Sequence, residues 1–362
     1  MIGEFALKNE RICLITFSNN SDYQRIIYSM FAVLNKRGID VYTIGKENPK
    51  SKNAQFTDRN IYLNCPDRPG LDKGAFRLSE LFRVAKIIKR NHIRYLYFES
   101  LHLWNFFLML LCPQCIKIEA IHDVIPHDGN KGMTLCNFVT SHMADAVLLR
   151  NKKYIDILRE KYILKKKRII SFDFWNDFPK KSEILGTGNF LYFGRIRPYK
   201  GLDTLYEIIK ETPDAHFQIV GAPDEDTEGL LAEFSLFSNV EVIAREVTES
   251  EMETFFYNAD WIVLPYKSAT QSGVIMDAYR YSRPVIAFDV GAFAEQVIDG
   301  KTGFLIPEGD AVAFAQIVRK VNGFTQEETA QFAHAAYRYG YNKYAAEAVA
   351  DRFLEVIYSI KK

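Results

Sequence analysis

Two loops in the second half of the chain carry residue types suited to holding an anion. The first, Gly194-Arg195-Ile196-Arg197-Pro198-Tyr199-Lys200-Gly201, sets three cations between two glycines. The second, Gln271-Ser272-Gly273, opens onto Val274-Ile275-Met276-Asp277-Ala278. If that segment is a helix, its first backbone N–H groups lack intrahelical partners and its end is partly positive. Such an end attracts phosphate. A basic loop and a helix mouth together suit a diphosphate. In the first half, His122 follows the apolar run 117–121 and heads the stretch His122-Asp123-Val124-Ile125-Pro126-His127. Open α/β sheets bind ligands at the C-terminal ends of their strands, which is where this histidine stands. The competing reading is a structural histidine.

These residues need strands and helices to place them. Residues 11–17, 40–44, 61–64, 95–98, 117–121, 146–149 and 168–172 read as short buried strands. Residues 23–36, 77–91, 101–112 and 152–162 repeat apolar side chains at helical spacing. Residues 176–189 hold Pro179, Lys180, Lys181, Gly186 and Gly188 without periodicity, which marks a linker. The alternation then restarts, with strands at 190–193, 216–220, 240–243, 261–264 and 284–288. Helices are expected at 202–210, 227–236, 249–257, 272–281 and 311–321, and the last helices run between 327 and 361, the terminal one from 341. Strand–helix alternation of this kind means open parallel sheets, here two in tandem.

Composition agrees with a globular enzyme. The 362 residues suffice for two domains and a large core. A hydrophobic share of 48% and a charged share of 25% are those of a soluble chain. The longest apolar run, 101–112, is too short to span a bilayer and no signal pattern precedes the first strand. Cys112-Pro113-Gln114-Cys115 has redox or zinc spacing, but no second pair completes a zinc site, so a helix end followed by a strand start is expected. With five scattered cysteines, the expected compartment is the cytoplasm.

The net charge of +1 hides an asymmetry. Residues 1–180 hold 29 Lys+Arg against 18 Asp+Glu, a net of +11, and residues 181–362 hold 17 against 27, a net of −10. The densest basic segment is 150–168, ending in Lys165-Lys166-Lys167-Arg168. Half the weight falls on a solvated face, and most of the rest on docking to anionic lipid headgroups, where each such cation contributes about 1 kcal/mol. Nucleic acid is not expected, because no binding module accompanies the charge.

The second half resembles the retaining glycosyltransferases of family four. The resemblance runs through Phe193-Gly194-Arg195 with Lys200-Gly201, then Asn258-Ala259-Asp260 with Leu264-Pro265. It continues through Arg283-Pro284-Val285-Ile286-Ala287, the loop from Gly291 to Glu295, and Asp299-Gly300-Lys301-Thr302-Gly303-Phe304-Leu305. In the first half, the stretch from Ile121 to His127 is similar to the family's histidine loop. The fold this implies is α/β GT-B, two Rossmann-like doubly wound parallel-sheet domains facing a central cleft. It would divide into an acceptor-side domain (1–178), a nucleotide-sugar domain (186–340) and a terminal helix (341–362) crossing back to the first domain.

The resemblance also implies roles. Arg195 and Lys200 would bind the donor diphosphate and stabilise it as it leaves, with Gly194 in the same loop. His122 would contact the donor sugar and support the transition state, with Asp123 orienting the ring or helping the acceptor, and His127 a further candidate. The family's two glutamates fall at Ala269 and Asp277, so one carboxylate is absent and the other shortened. Asp277 would hold the ribose. Gln271 and Ser272, beside Gly273, would substitute as hydrogen-bond donors, and Glu295 is a further candidate for donor contacts. The first loop, Ser18-Asn19-Asn20, lacks the family's usual glycines.

The implied reaction moves a sugar from a nucleotide diphosphate donor to an acceptor hydroxyl with retention. No cofactor and no metal are expected. The setting expected is polysaccharide or glycolipid assembly, with a lipid-linked or saccharide acceptor, at the inner face of the membrane. Two alternatives stay open: a sugar-nucleotide epimerase of the same fold, and a weakly catalytic binding subunit of a partner transferase.

Overall fold

The computed structural model describes residues 10–18, 20–46, 58–67, 74, 77–122, 124, 131–179, 183 and 186–361. Short apolar runs pair side by side into two all-parallel sheets. The chain divides into two units, residues 1–177 with 344–362, and residues 178–343.

The first unit runs β1 (Arg11–Thr16), α1 (Ser21–Lys36), β2 (Val41–Lys46), β3 (Asn60–Leu63), α2 (Leu78–Arg90), β4 (Ile93–Phe98), α3 (Leu103–Leu111), β5 (Ile116–Ile121), α4 (Lys131–Met143), β6 (Ala146–Leu149), α5 (Ile155–Lys161) and β7 (Arg168–Ser171). Its strand order is β3-β2-β1-β4-β5-β6-β7. The order reverses between β1 and β4, and at such a switch point the loops part and leave a crevice at the strand C-termini. Residues at or just past the ends of β1 and β4 therefore lie together at this point, Thr16 Oγ1 standing 2.8 Å from Ser100 Oγ. The inner strands β5 and β6 are buried on both faces, and β4 nearly so, which is why they read as largely apolar runs.

The second unit runs β8 (Asn189–Phe193), α6 (Leu202–Lys210), β9 (His216–Val220), α7 (Glu228–Glu233), β10 (Val240–Ile243), α8 (Glu249–Asn258), β11 (Trp261–Leu264), α9 (Gly273–Arg280), β12 (Val285–Phe288), β13 (Gly303–Ile306), α10 (Ala311–Asn322) and α11 (Gln326–Tyr344). Its order is β10-β9-β8-β11-β12-β13, with the switch between β8 and β11. The two anion-suited loops leave those two strands. This doubly wound topology, present twice, is that of the GT-B fold.

Three local features differ from the sequence expectation, the first being β13, a strand where none is expected. Helix α4 occupies a stretch for which no helix is expected. The terminal helix is not continuous: α11 ends at Tyr344, Ala345 is extended (φ −67°, ψ 124°), and α12 (Ala346–Tyr358) follows. Asn176 causes the break, since its N–H donates to the Tyr344 carbonyl at 2.9 Å and its carbonyl accepts from Ala346 N–H at 2.8 Å. Helix α12 then packs on α1, placing Val349, Phe353 and Ile357 in the first unit's core beside Trp175 and Tyr97.

Phe353 is fully buried among Tyr97, Phe172 and Trp175. Phe353→Ala should lower the stability of the first unit by about 3–5 kcal/mol. Leu236→Ala, at a side chain 80% exposed, should change little. Urea unfolding followed by tryptophan fluorescence checks both.

Candidate active site

In the second unit the geometry is built from close backbone approaches. Gly201 lies at φ 72°, where a Cβ would sit 1.9 Å from the Pro265 carbonyl oxygen, so only glycine lets the basic loop lie against the end of β11. Lys267 N–H donates to the Tyr199 carbonyl at 2.8 Å and ties the two loops. The result brings Lys200 to Gly194: a Cβ on Gly194 would lie 3.0 Å from Lys200 Nζ and 3.7 Å from Val274 Cγ2. The ammonium of Lys200 and the first turn of α9 therefore flank one glycine.

Lys200 is 9% exposed, with its ammonium 5.3 Å from the centre of the Tyr266 ring. Ser272 caps α9, its Oγ accepting from Val274 N–H at 3.2 Å. Gly273 has open space where a side chain would stand. A cation and a helix N-terminus thus add their positive potentials over an uncrowded stretch of backbone.

A second layer, not legible in the local sequence, fixes this mouth. The side-chain amide of Gln296 clamps the backbone of Ser272, accepting from its N–H at 2.9 Å and donating to its carbonyl at 3.0 Å. Gly291 at φ 54° lies so close to Ala269 that a Cβ would be 1.6 Å from the Ala269 carbonyl oxygen. Ser272 is therefore held in place both by its cap and through its backbone. Burial pushes the phenol of Tyr266 up, with a Ser272 hydrogen bond acting the other way.

The remaining expected residues separate. Asp277 is buried on α9, at 8% exposure. Gln271 is partly exposed just before the cap. Glu295 is held by its backbone, its carbonyl accepting from Tyr339 Oη at 3.2 Å and Lys343 Nζ at 2.8 Å. Arg195 is exposed, with its Nε 3.9 Å from Asp224 Oδ1, while Arg197 holds the same carboxylate at 3.3 Å. An exposed pair of that length contributes little stability, so Arg195 can exchange it for another anion at small cost.

In the first unit His122 is only 9% exposed in its side chain, between Tyr23 at 4.7 Å and Phe174 at 5.5 Å. Its Nε2 lies 2.6 Å from the carbonyl oxygen of Glu99 and 3.0 Å from Glu99 Oε1. Asp123 and His127 lie outside the described residues. Glu99 is fully buried just past the end of β4, where Arg150 and Tyr97 also bond its carboxylate. Burial pushes this carboxyl up, but the Arg150 guanidinium and the hydrogen bonds from His122 and Tyr97 outweigh it and hold the group below its ordinary value.

A second buried carboxyl, Glu119 on β5, has no such cation. Asn105 Nδ2 donates to it at 3.1 Å. Burial pushes Glu119 up to about 8, opposed by bonds from Asn105 and Thr140 and aided by the charge of Glu99. This favours its protonated form at neutral pH.

The basic segment 150–168 is largely used within the first unit. Arg150 is buried with Glu99, and Arg159 donates to the carbonyls of Leu164, Lys165 and Lys167. Lys161 and Lys167 donate to backbone carbonyls, and Arg168 bonds Ser359. Lys165 and Lys166 are exposed. Cys112 and Cys115 are buried between α3 and β5 as free thiols, with the Cys115 hydrogen bond and burial raising Cys112. Among the described residues no group of three or more His, Cys, Asp or Glu could hold a metal ion, and no helix is long and apolar enough to cross a membrane.

Fold and site together define a class: a GT-B protein with a phosphate-suited mouth at the second sheet's switch point. Comparison with known proteins agrees. Residues 187–322 match the family model "Glycosyl transferases group 1". An uncharacterized glycosyltransferase of Methanocaldococcus jannaschii is 30% identical over 202 residues, 54% of each chain. A GDP-mannose:glycolipid 4-beta-D-mannosyltransferase of Xanthomonas campestris is 32% identical over 150 residues, 37% of this chain and 40% of that one. The matched region thus spans about half, or less, of these relatives. Sucrose-phosphate synthase of Thermosynechococcus elongatus superposes with a TM-score of 0.73 at 16% identity, covering 97% of this chain and 99% of that one. The structural comparison supports the GT-B fold, and the segment matched by the family model lies within the second unit.

Glu119 yields a pH prediction. Its folded pKa lies above the unfolded carboxyl value of about 4.3, so the folded state holds the extra proton between the two. Its contribution to stability is full below that lower value and is lost as pH rises toward about 8. Within this window wild type should lose up to about 1.4 kcal/mol per pH unit relative to Glu119→Gln. Paired urea titrations from pH 5 to 8 measure it, and parallel pH profiles would refute the assignment.

Proposed function

We propose that this protein is a retaining glycosyltransferase that moves a sugar from a nucleotide diphosphate sugar to an acceptor hydroxyl. The observation that carries the reading is the approach of the Lys200 ammonium to Gly194 and the open N-terminus of α9, inside the segment that matches the family model. In the reaction the bond from the anomeric carbon to the diphosphate oxygen breaks and one to the acceptor oxygen forms. The acceptor's proton passes to the departing diphosphate. Charge grows on that diphosphate as the bond breaks, and Lys200, the helix mouth and Arg195 supply fixed positive potential there.

Asp277 is assigned to the ribose and Gln271 to the donor sugar or phosphate. Ser272 serves this site through the cap it forms. His122 supports the transition state. Attack comes from the face the leaving group departs, so no protein nucleophile is required. The electrostatic work done elsewhere by a divalent cation falls to Lys200 and the helix, and the reaction is metal-independent.

The acceptor is a saccharide or lipid-linked glycan in polysaccharide or glycolipid assembly. Support comes from the Xanthomonas relative, whose name specifies a glycolipid, and from the basic excess of the first half. The exposed side chains Phe82 on α2, Leu110 on α3 and Leu135 on α4 add an apolar component to that unit's surface. We therefore place the enzyme peripherally on the cytoplasmic face of a membrane. Co-sedimentation with anionic but not neutral vesicles tests this placement, and equal sedimentation with both, or with neither, overturns its electrostatic part.

Lys200→Ala should lower kcat by about 100-fold or more, in the range seen when one charge-stabilising donor is lost. Arg195→Ala should lower it less, because that side chain is exposed. Circular dichroism confirms the fold, and near wild-type turnover in both variants removes the diphosphate assignment. Activity should persist in excess chelator. Loss restored by magnesium or manganese would contradict the metal-independent reading.

A further inference from the structure

Behind His122 stands a buried charged network that the donor site does not explain. Glu99 and Arg150 are both fully buried in their side chains. Arg150 also donates to Tyr97 Oη at 2.8 Å and to the Asp173 carbonyl at 3.1 Å. Its guanidinium lies 5.1 Å from the Phe174 ring centre and 4.8 Å from that of Trp175. Phe174 in turn stacks on His122 at an interplanar angle of 22°.

Burying such an ion pair is costly, and apolar side chains of the same volume usually serve stability as well or better. The network's geometry shows what it achieves instead. Tyr97 and Arg150 fix the Glu99 carboxylate, Arg150 also backs the Phe174 ring, and both Glu99 and Phe174 face the one imidazole. Two acceptors on Glu99 receive the same His122 nitrogen, so Nε2 carries the proton and the ring has one favoured orientation.

We propose that Glu99 is a positioning residue that acts through His122, with Arg150 and Tyr97 holding its carboxylate in place. The proposal rests on the glycosyltransfer reading only where it concerns turnover.

Glu99→Gln alone strands the Arg150 charge and can fail to fold. The working variant is therefore Glu99→Gln with Arg150→Met, which keeps both side chains' approximate volume and removes both charges. Its kcat should fall by about 10- to 100-fold, the effect of misplacing a group by a fraction of an ångström to an ångström, while the donor KM is unchanged. In a His122→Ala background the same pair of changes should cause no further fall, because residues that act through one another are not additive. An equal fall in both backgrounds shows a purely structural role and overturns the proposal, as does no fall in either.

Nitrogen-15 spectra of histidine-labelled protein, assigned with His122→Ala, read the ring without turnover. Wild type should show a slowly exchanging Nε2–H at His122, and the double variant a fast one. No slow resonance in wild type, or an unchanged one in the variant, overturns the proposal. If the spectra behave as expected and no sugar is transferred, the positioning stands and the glycosyltransfer reading fails.

Discussion

A nearly buried ammonium held beside the open end of a helix is the constraint on which the second unit is arranged. Positive potential of that kind needs fixed geometry, because a mobile lysine would turn toward solvent. The chain supplies the geometry through backbone rather than side chains. Gly201 lets the basic loop reach the end of β11, Gly291 lets the loop after β12 support Ala269, and Gln296 locks Ser272 from behind. Each of these contacts joins loops leaving the neighbouring parallel strands β8, β11 and β12, so the sheet's order is what allows them to meet.

The first unit uses the opposite strategy at its own switch point. There the loops after β4 and β5 meet through buried polar side chains, and the charge of Glu99 is answered by Arg150. Burial, with a lesser contribution from the charge of Glu99, pushes the nearby Glu119 carboxyl up, because no cation answers it there. Rigid backbone in one unit and a satisfied polar network in the other are two physical routes to a fixed side chain at a strand end.

Much of this was legible in sequence, and the exceptions have identifiable causes. The strands announced themselves as apolar runs, and the loop containing Gly194 and Lys200 was marked by cations among glycines. Glu99 was missed because one carboxylate after an apolar strand reads as the first solvated residue of a loop. Arg150 was counted with a basic surface segment because composition carries no record of burial. The clamp on the Ser272 backbone is silent in local sequence, because its partner Gln296 lies on another loop. Helix α4 has Gly132, Thr134 and Asn137 along it, which blur the apolar stripe. The break at Ala345 is imposed by Asn176, far away in the chain, on residues that otherwise favour helix.

The central claim is that Lys200 and the first turn of α9 hold the donor's diphosphate. The most direct measurement is a crystal structure of the protein grown with a nucleoside diphosphate in excess chelator. The account predicts a terminal phosphate within hydrogen-bond distance of both Lys200 Nζ and the backbone N–H of Gly273, with no metal between them. A well-ordered nucleotide whose phosphates lie away from Lys200, or reach it only through a bound cation, would contradict it.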